Sequence, residues 1–247
     1  MTLKERMPAL LEMRREHLVT VQANAADPAK DRNGSSSTSV QGSLRFIGVA
    51  EFVVSGNVEL FRRFLSDAAK IQLRLFERHK AGEPIDDSFL AMLSYKSLFD
   101  ALAAGNFDIA TKLAQCMGGR AAIEKEHDHP FDYCLGYTLK AFTERNPEAM
   151  AHWASEFSAV CREPDNTDFT GYSKVFDGVL THDEKAVQEG LASIPKGHKN
   201  QSKRGGVFKD LVDETLCVWG VGIANLARRD RIAVEGVPPL IPAELLV

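Results

Sequence analysis

The sequence predicts an all-α protein of packed antiparallel helical hairpins, a degenerate array resembling αα-repeats. Three observations carry that expectation. From residue 44 to residue 229, apolar side chains recur at i, i+3, i+4 and i+7, the spacing of helices with one buried face. No run of useful length alternates apolar with polar residues, so nothing asks for a strand. The same punctuation also recurs: Ser55-Gly-Asn-Val-Glu-Leu60, Ala104-Gly-Asn-Phe-Asp-Ile109, then weaker copies at Arg145-Asn-Pro-Glu-Ala149 and Thr181-His-Asp-Glu-Lys-Ala186. A glycine ends one helix in the left-handed region, and Asn or Asp caps the next. From Asn57 to Asn106, Asn146 and His182 the intervals are 49, 40 and 36 residues, near the period of αα-hairpin repeats. The drift in spacing makes the array irregular.

Taken in order, residues 1–26 read as an N-terminal helix, with Leu3, Met7, Leu10, Leu11 and Leu18 at helical spacing and Pro8 in a first turn. Residues 27–43, rich in Asn, Gly and Ser, read as a flexible linker, because too few apolar groups are present to offset the entropy of ordering. Residues 44–247 read as the helical body. After Asn57, an apolar stripe of Phe61, Phe64, Leu65, Ala68, Leu75 and Phe76 faces a basic, solvated side carrying Arg62, Arg63, Lys70, Arg74 and Arg78. Asp86 and Asp87 then supply acidic caps. Gly118-Gly119 ends the helix of Ile109 and Leu113, and Asp128 is expected to cap a helix starting near Pro130. Residues 195–206 are expected to form a mobile basic loop. Phe208, Leu211, Val212, Leu216, Trp219, Ile223 and Leu226 mark one last long helix, in which Gly220 and Gly222 admit a close neighbour. The proline-rich tail from Val237 is expected to pack along the body as an extended segment.

Composition narrows the function classes. A net charge of -4 argues against a general nucleic-acid binder. The four cysteines, Cys116, Cys134, Cys161 and Cys217, form no CxxC pair and read as buried free thiols. The absence of an apolar leader or an 18-residue apolar run predicts no secretory signal and no membrane partner, hence a cytoplasmic protein.

No catalytic constellation appears, and no cofactor is expected. The densest set of ligand-type side chains is Glu124-Lys-Glu-His-Asp-His-Pro130, where His127 and His129 could hold a metal. A polar loop between helices is the plainer account. Cys134 near these histidines suggests an activated thiol, but its apolar neighbours favour burial. The acids Asp86, Asp87, Glu124, Glu126 and Asp128, with His127, are the candidate partner-binding residues: they would steer a basic protein.

The passage Phe99-Asp-Ala-Leu-Ala-Ala-Gly-Asn-Phe-Asp-Ile-Ala-Thr-Lys-Leu-Ala114 resembles the helix–turn–helix unit of bacterial immunity proteins from polymorphic toxin systems. The ending Leu216-Cys-Val-Trp-Gly-Val-Gly-Ile-Ala-Asn-Leu-Ala-Arg228, followed by Pro238-Pro-Leu-Ile-Pro-Ala-Glu-Leu-Leu246, is similar to the C-terminus of the all-α immunity family numbered 49. The resemblance spans residues 44–247. It implies binding and neutralisation of a cognate toxin by occlusion, and it supplies no catalytic residues. Two rivals stand beside it: a helical-repeat adaptor or chaperone, and a metal-dependent enzyme built on His127 and His129.

Overall fold

The computed structural model describes residues 2–203 and 205–247. Among them are eleven α-helices and no strand. These are α1 (Leu3–Ala25), α2 (Ser35–Ser55), α3 (Val58–Lys80), α4 (Tyr95–Ala103), α5 (Phe107–Cys116) and α6 (Ala121–His127). They continue with α7 (Pro130–Glu144), α8 (Pro147–Cys161), α9 (Thr170–Thr181), α10 (Glu184–Gln201) and α11 (Val218–Arg229). Among the described residues no helix is long and apolar enough to cross a membrane. All four cysteines are free.

The punctuation marks are helix junctions. Asn57, Asn106, Asn146 and Asp183 each accept a backbone N–H from three residues on, at 2.9, 3.1, 3.2 and 3.0 Å, and so cap α3, α5, α8 and α10. Gly56 and Gly105 stand before them with φ of 69° and 71°. In the weaker copies Arg145 and His182 take the same left-handed conformation. Four hairpins follow: α2–α3, α4–α5, α7–α8 and α9–α10. Each cap stabilises its helix by about 0.5–2 kcal/mol relative to alanine.

The hairpins close around α11, whose residues 218–227 are all buried. A helix apolar on every side belongs at the centre of a core. It packs on α4, and Gly222 allows the contact: a Cβ there would lie 3.0 Å from the Phe99 ring. Trp219 is 4% exposed, stacked on Phe99 at 5.2 Å and edge-on to Phe208 at 5.0 Å. The tail lies against this helix as expected, with one 3-10 turn at Ala243–Leu245, Ile241 and Leu245 fully buried, and the Val247 N–H bonded to Asn225 at 2.9 Å.

Several expectations are corrected. The flexible linker assigned to residues 27–43 is ordered: 35–43 are the first turns of α2. Its anchor is Asp31, which is buried and accepts the Ser37 N–H at 2.8 Å and the Arg78 Nη1 at 2.6 Å. Thr38 and Ser43 hydroxyls donate to carbonyls four residues back, and Val40 and Leu44 pack with Ala68 and Ile71. Long-range burial thus offsets an entropy that local composition could not. Arg78 correspondingly leaves the solvated face of α3.

The first helix starts at Leu3, held by a capping box between Thr2 and Glu5, so Pro8 falls inside it rather than in the first turn. The basic loop of 195–206 is half helix. Helix α10 runs through Pro195 to Gln201, because Ile194 and His198 continue the buried stripe of Val187 and Leu191. Arg204 lies outside the described residues. The last helix is shorter than its apolar spacing suggests: residues 205–216 form a strap with a 3-10 turn at Val212–Thr215 and a left-handed Asp210, φ 62°. Phe208 is buried, whereas Leu211 points out, 49% exposed.

Candidate functional site

Two features concentrate chemistry at the surface. The first is an acidic edge. Asp86 accepts the Ser88 N–H at 3.0 Å and caps the 3-10 turn Asp87–Phe89, which packs against α6. Asp86 and Asp87 therefore share an edge with Glu126 and His127, all four exposed. The Asp86 carboxyl lies below its ordinary value, first through the Ser88 hydroxyl and to a smaller degree through His127.

Glu124 and Asp128 do not join them. Glu124 is 2% exposed, bonded by the Arg120 N–H at 2.8 Å and the Tyr137 hydroxyl at 2.9 Å. Asp128 accepts the Met92 and Leu93 N–H groups at 2.8 and 2.9 Å, and burial pushes its carboxyl up. It caps the turn before α4; His129, accepting the Phe131 N–H at 3.3 Å, caps α7 instead. These two acids fasten backbone and are withdrawn from partner binding. Among the described residues no three His, Cys, Asp or Glu side chains converge to hold a metal. Cys134 is half-buried, and burial pushes its thiol up, against activation as a thiolate.

The second feature is a cavity of about 300 Å³ between α2, the start of α4 and the 205–216 strap. Two buried carboxyl groups and a partly buried guanidinium meet at its wall. The Arg45 Nε donates to Asp100 at 2.8 Å, and its two terminal nitrogens reach Asp213 at 2.6 Å each. The planar guanidinium fork matches both carboxylates at once. Burial raises Asp100 to about 6, and the neighbouring Asp213 adds to the rise, against the pull of Arg45. Asp213 is also the foot of the strap: its carbonyl meets His198 Nε2 at 2.7 Å, while His198 stacks on Phe208 at 4.4 Å.

Beside this fork, the Tyr95 hydroxyl donates to one oxygen of Asp132 at 2.8 Å. Lys96 is exposed at the mouth, and crowding by the surrounding protein lowers its pKa. Trp219, Phe208 and Tyr95 give the cavity aromatic walls, and Val207 and Leu211 stand at the rim, each 49% exposed. Both oxygens of Asp100 and His198 Nε2 are occupied within the protein, an arrangement suited to holding shape and charge rather than to moving protons.

Sequence reasoning missed this cavity. Arg45 and Asp213 are 168 residues apart, and no motif links them. The one local signal was Asp100, an acid inside the apolar run Leu98-Phe99-Asp100-Ala101-Leu102.

A further cup, of about 420 Å³, lies where α7, α9 and α11 end, with Arg145, His182 and Arg231 around it. Arg145 donates to the Arg229 carbonyl at 2.8 Å and Arg229 to the Phe142 carbonyl at 2.9 Å, so these two cations cap each other's helices. No known protein family, curated protein or solved structure matches this chain.

Proposed function

We propose that this chain is an immunity protein that binds a secreted bacterial toxin and neutralises it by occlusion. The observation that carries the reading is the acidic edge, where Asp86, Asp87 and Glu126 stand exposed on two elements that pack against each other. Such an edge attracts a basic protein surface and speeds encounter, with a strong dependence on salt. Glu124 and Asp128, being engaged internally, take no part. The class of partner comes from the sequence resemblance of the C-terminal helix and tail alone.

The test is growth rescue. A candidate toxin encoded beside this gene is expressed with and without the chain. Rescue, together with a stable complex whose association slows when Asp86, Asp87 and Glu126 are replaced by amides, supports the reading. A well-folded, abundant chain that neither rescues growth nor binds the toxin refutes it.

A second reading, an adaptor that holds a helix or peptide, has one observation in its favour. A groove of about 770 Å³ runs between α1, α2 and α3, with Val40, Leu44 and Ile71 along its floor. Peptide binding in that groove without toxin neutralisation would favour it.

A further inference from the structure

We propose that the cavity beneath the 205–216 strap is the anchor pocket for a single arginine side chain of the protein partner. The inference rests on the reading above that the partner is a protein with a basic surface.

Size is the first argument. Small-molecule sites usually run to about 300–1,000 Å³. At about 300 Å³ this cavity sits at the lower limit, which suits one side chain better than a cofactor. Interfaces commonly concentrate affinity in such anchors, a buried aromatic or arginine set in a pocket with an apolar surround. Here the exposed Val207 and Leu211 provide that surround.

Charge is the second argument. Asp100, Asp132 and Asp213 line the cavity, against Arg45 and Lys96. Arg45 is spent on Asp100 and Asp213. Asp132 holds a hydrogen bond from Tyr95 on one oxygen, and among the described residues no cation lies within ion-pair distance of it. Lys96 likewise makes no ion pair among the described residues. Asp132 is therefore the open acceptor, and a cation placed there restores the balance of charge.

The third argument is shape chemistry. Guanidinium is planar, stacks on aromatic faces and forks onto a carboxylate, which an ammonium cannot do. The cavity offers aromatic walls from Trp219, Phe208 and Tyr95 beside the Asp132 carboxylate. Lys96, exposed at the mouth, holds no ion pair among the described residues and opposes the incoming cation only by repulsion.

The experiment uses the full chain and L-argininamide as the probe, followed by the indole N–H resonances of the two tryptophans. Trp219 lines the cavity, and Trp153, stacked on Tyr137 elsewhere, is the internal control. The expected result is a saturable shift confined to Trp219. Asp132→Asn keeps an oxygen for Tyr95, so the fold should survive, and it should weaken binding by about tenfold or more, the value of a charge-assisted hydrogen bond. Lys96→Gln should bind the probe at least as tightly as wild type. Propionate should not bind.

Any of three results overturns the proposal: no Trp219 shift, an Asp132→Asn variant that binds like wild type, or binding of propionate that Lys96→Gln abolishes. The last would make the cavity an anion site. The titration needs no toxin. A cavity that binds argininamide in a chain that rescues nothing would refute the immunity reading alone. Rescue by a chain whose cavity ignores the probe would refute this inference alone.

Discussion

Replacing Arg45 by methionine tests the buried fork. The side chain keeps most of its length but loses its charge, leaving Asp100 and Asp213 facing each other at 1% and 3% side-chain exposure. Removing one partner of a buried ion pair costs about 3–5 kcal/mol, because the remaining charge is neither solvated nor paired. For chains of about 150–250 residues each kcal/mol moves the Tm by about 2–4 °C, so the expected loss is about 6–20 °C.

The loss should also depend on pH. Asp100 sits at about 6 in the folded protein against an ordinary 3.8. The folded state therefore holds an extra proton between those values, and this group's contribution to stability falls as pH climbs through that window, then stays flat. Without Arg45 the Asp100 carboxyl loses the cation that holds its pKa down and rises further. The variant's deficit should be largest near pH 8 and shrink towards pH 5, where protonation relieves the repulsion. Thermal melts of both proteins across that range are the assay. A Tm loss below about 3 °C at pH 8, or a deficit equal at pH 5 and pH 8, would refute the reasoning. Tryptic cleavage gives a second readout: freeing Asp213 should expose the strap at Lys209.

Other expectations follow from burial and partnership. Trp219→Ala removes the aromatic centre of the core and should cost about 3–5 kcal/mol, read as a sharply lower Tm; melting like wild type would show that the indole is not part of the core. Asp31→Ala strips the Ser37 and Arg78 bonds that order the start of α2, and should destabilise the chain by about 1–3 kcal/mol while making residues 27–34 the first protease target. Wild-type protein should be cut in the 205–216 strap before residues 27–43; the reverse order would show that the α2 start is loosely held. Glu126→Ala should leave the Tm within about 2 °C of wild type, since the residue is exposed and makes no ion pair among the described residues, yet slow association with a basic toxin.

The amino-acid sequence by itself determined the all-helical class and the junctions that begin α3, α5, α8 and α10. Helical period and capping are local: Asn57, Asn106, Asn146 and Asp183 act within four residues of themselves, so their patterns can be read without knowing the fold. Burial of Trp219 was legible for the same reason, since the residues around it in the sequence are almost all apolar. Tertiary structure decided everything that depends on distant partners. The polar stretch at 27–43 is ordered because Arg78 reaches back to Asp31 across 47 residues. The apolar spacing of 208–216 resembled a helix, but Arg45 and His198 draw Asp213 into an irregular strap. Of the six acidic-patch candidates, local pattern could not separate Asp86, Asp87, Glu126 and His127, which face water, from Glu124 and Asp128, which fasten backbone. Nor could it assemble Arg45, Lys96, Asp132 and Asp213, because charge and hydrogen bonding act through space, and only the folded chain brings α2, α4, α7 and the strap to one wall.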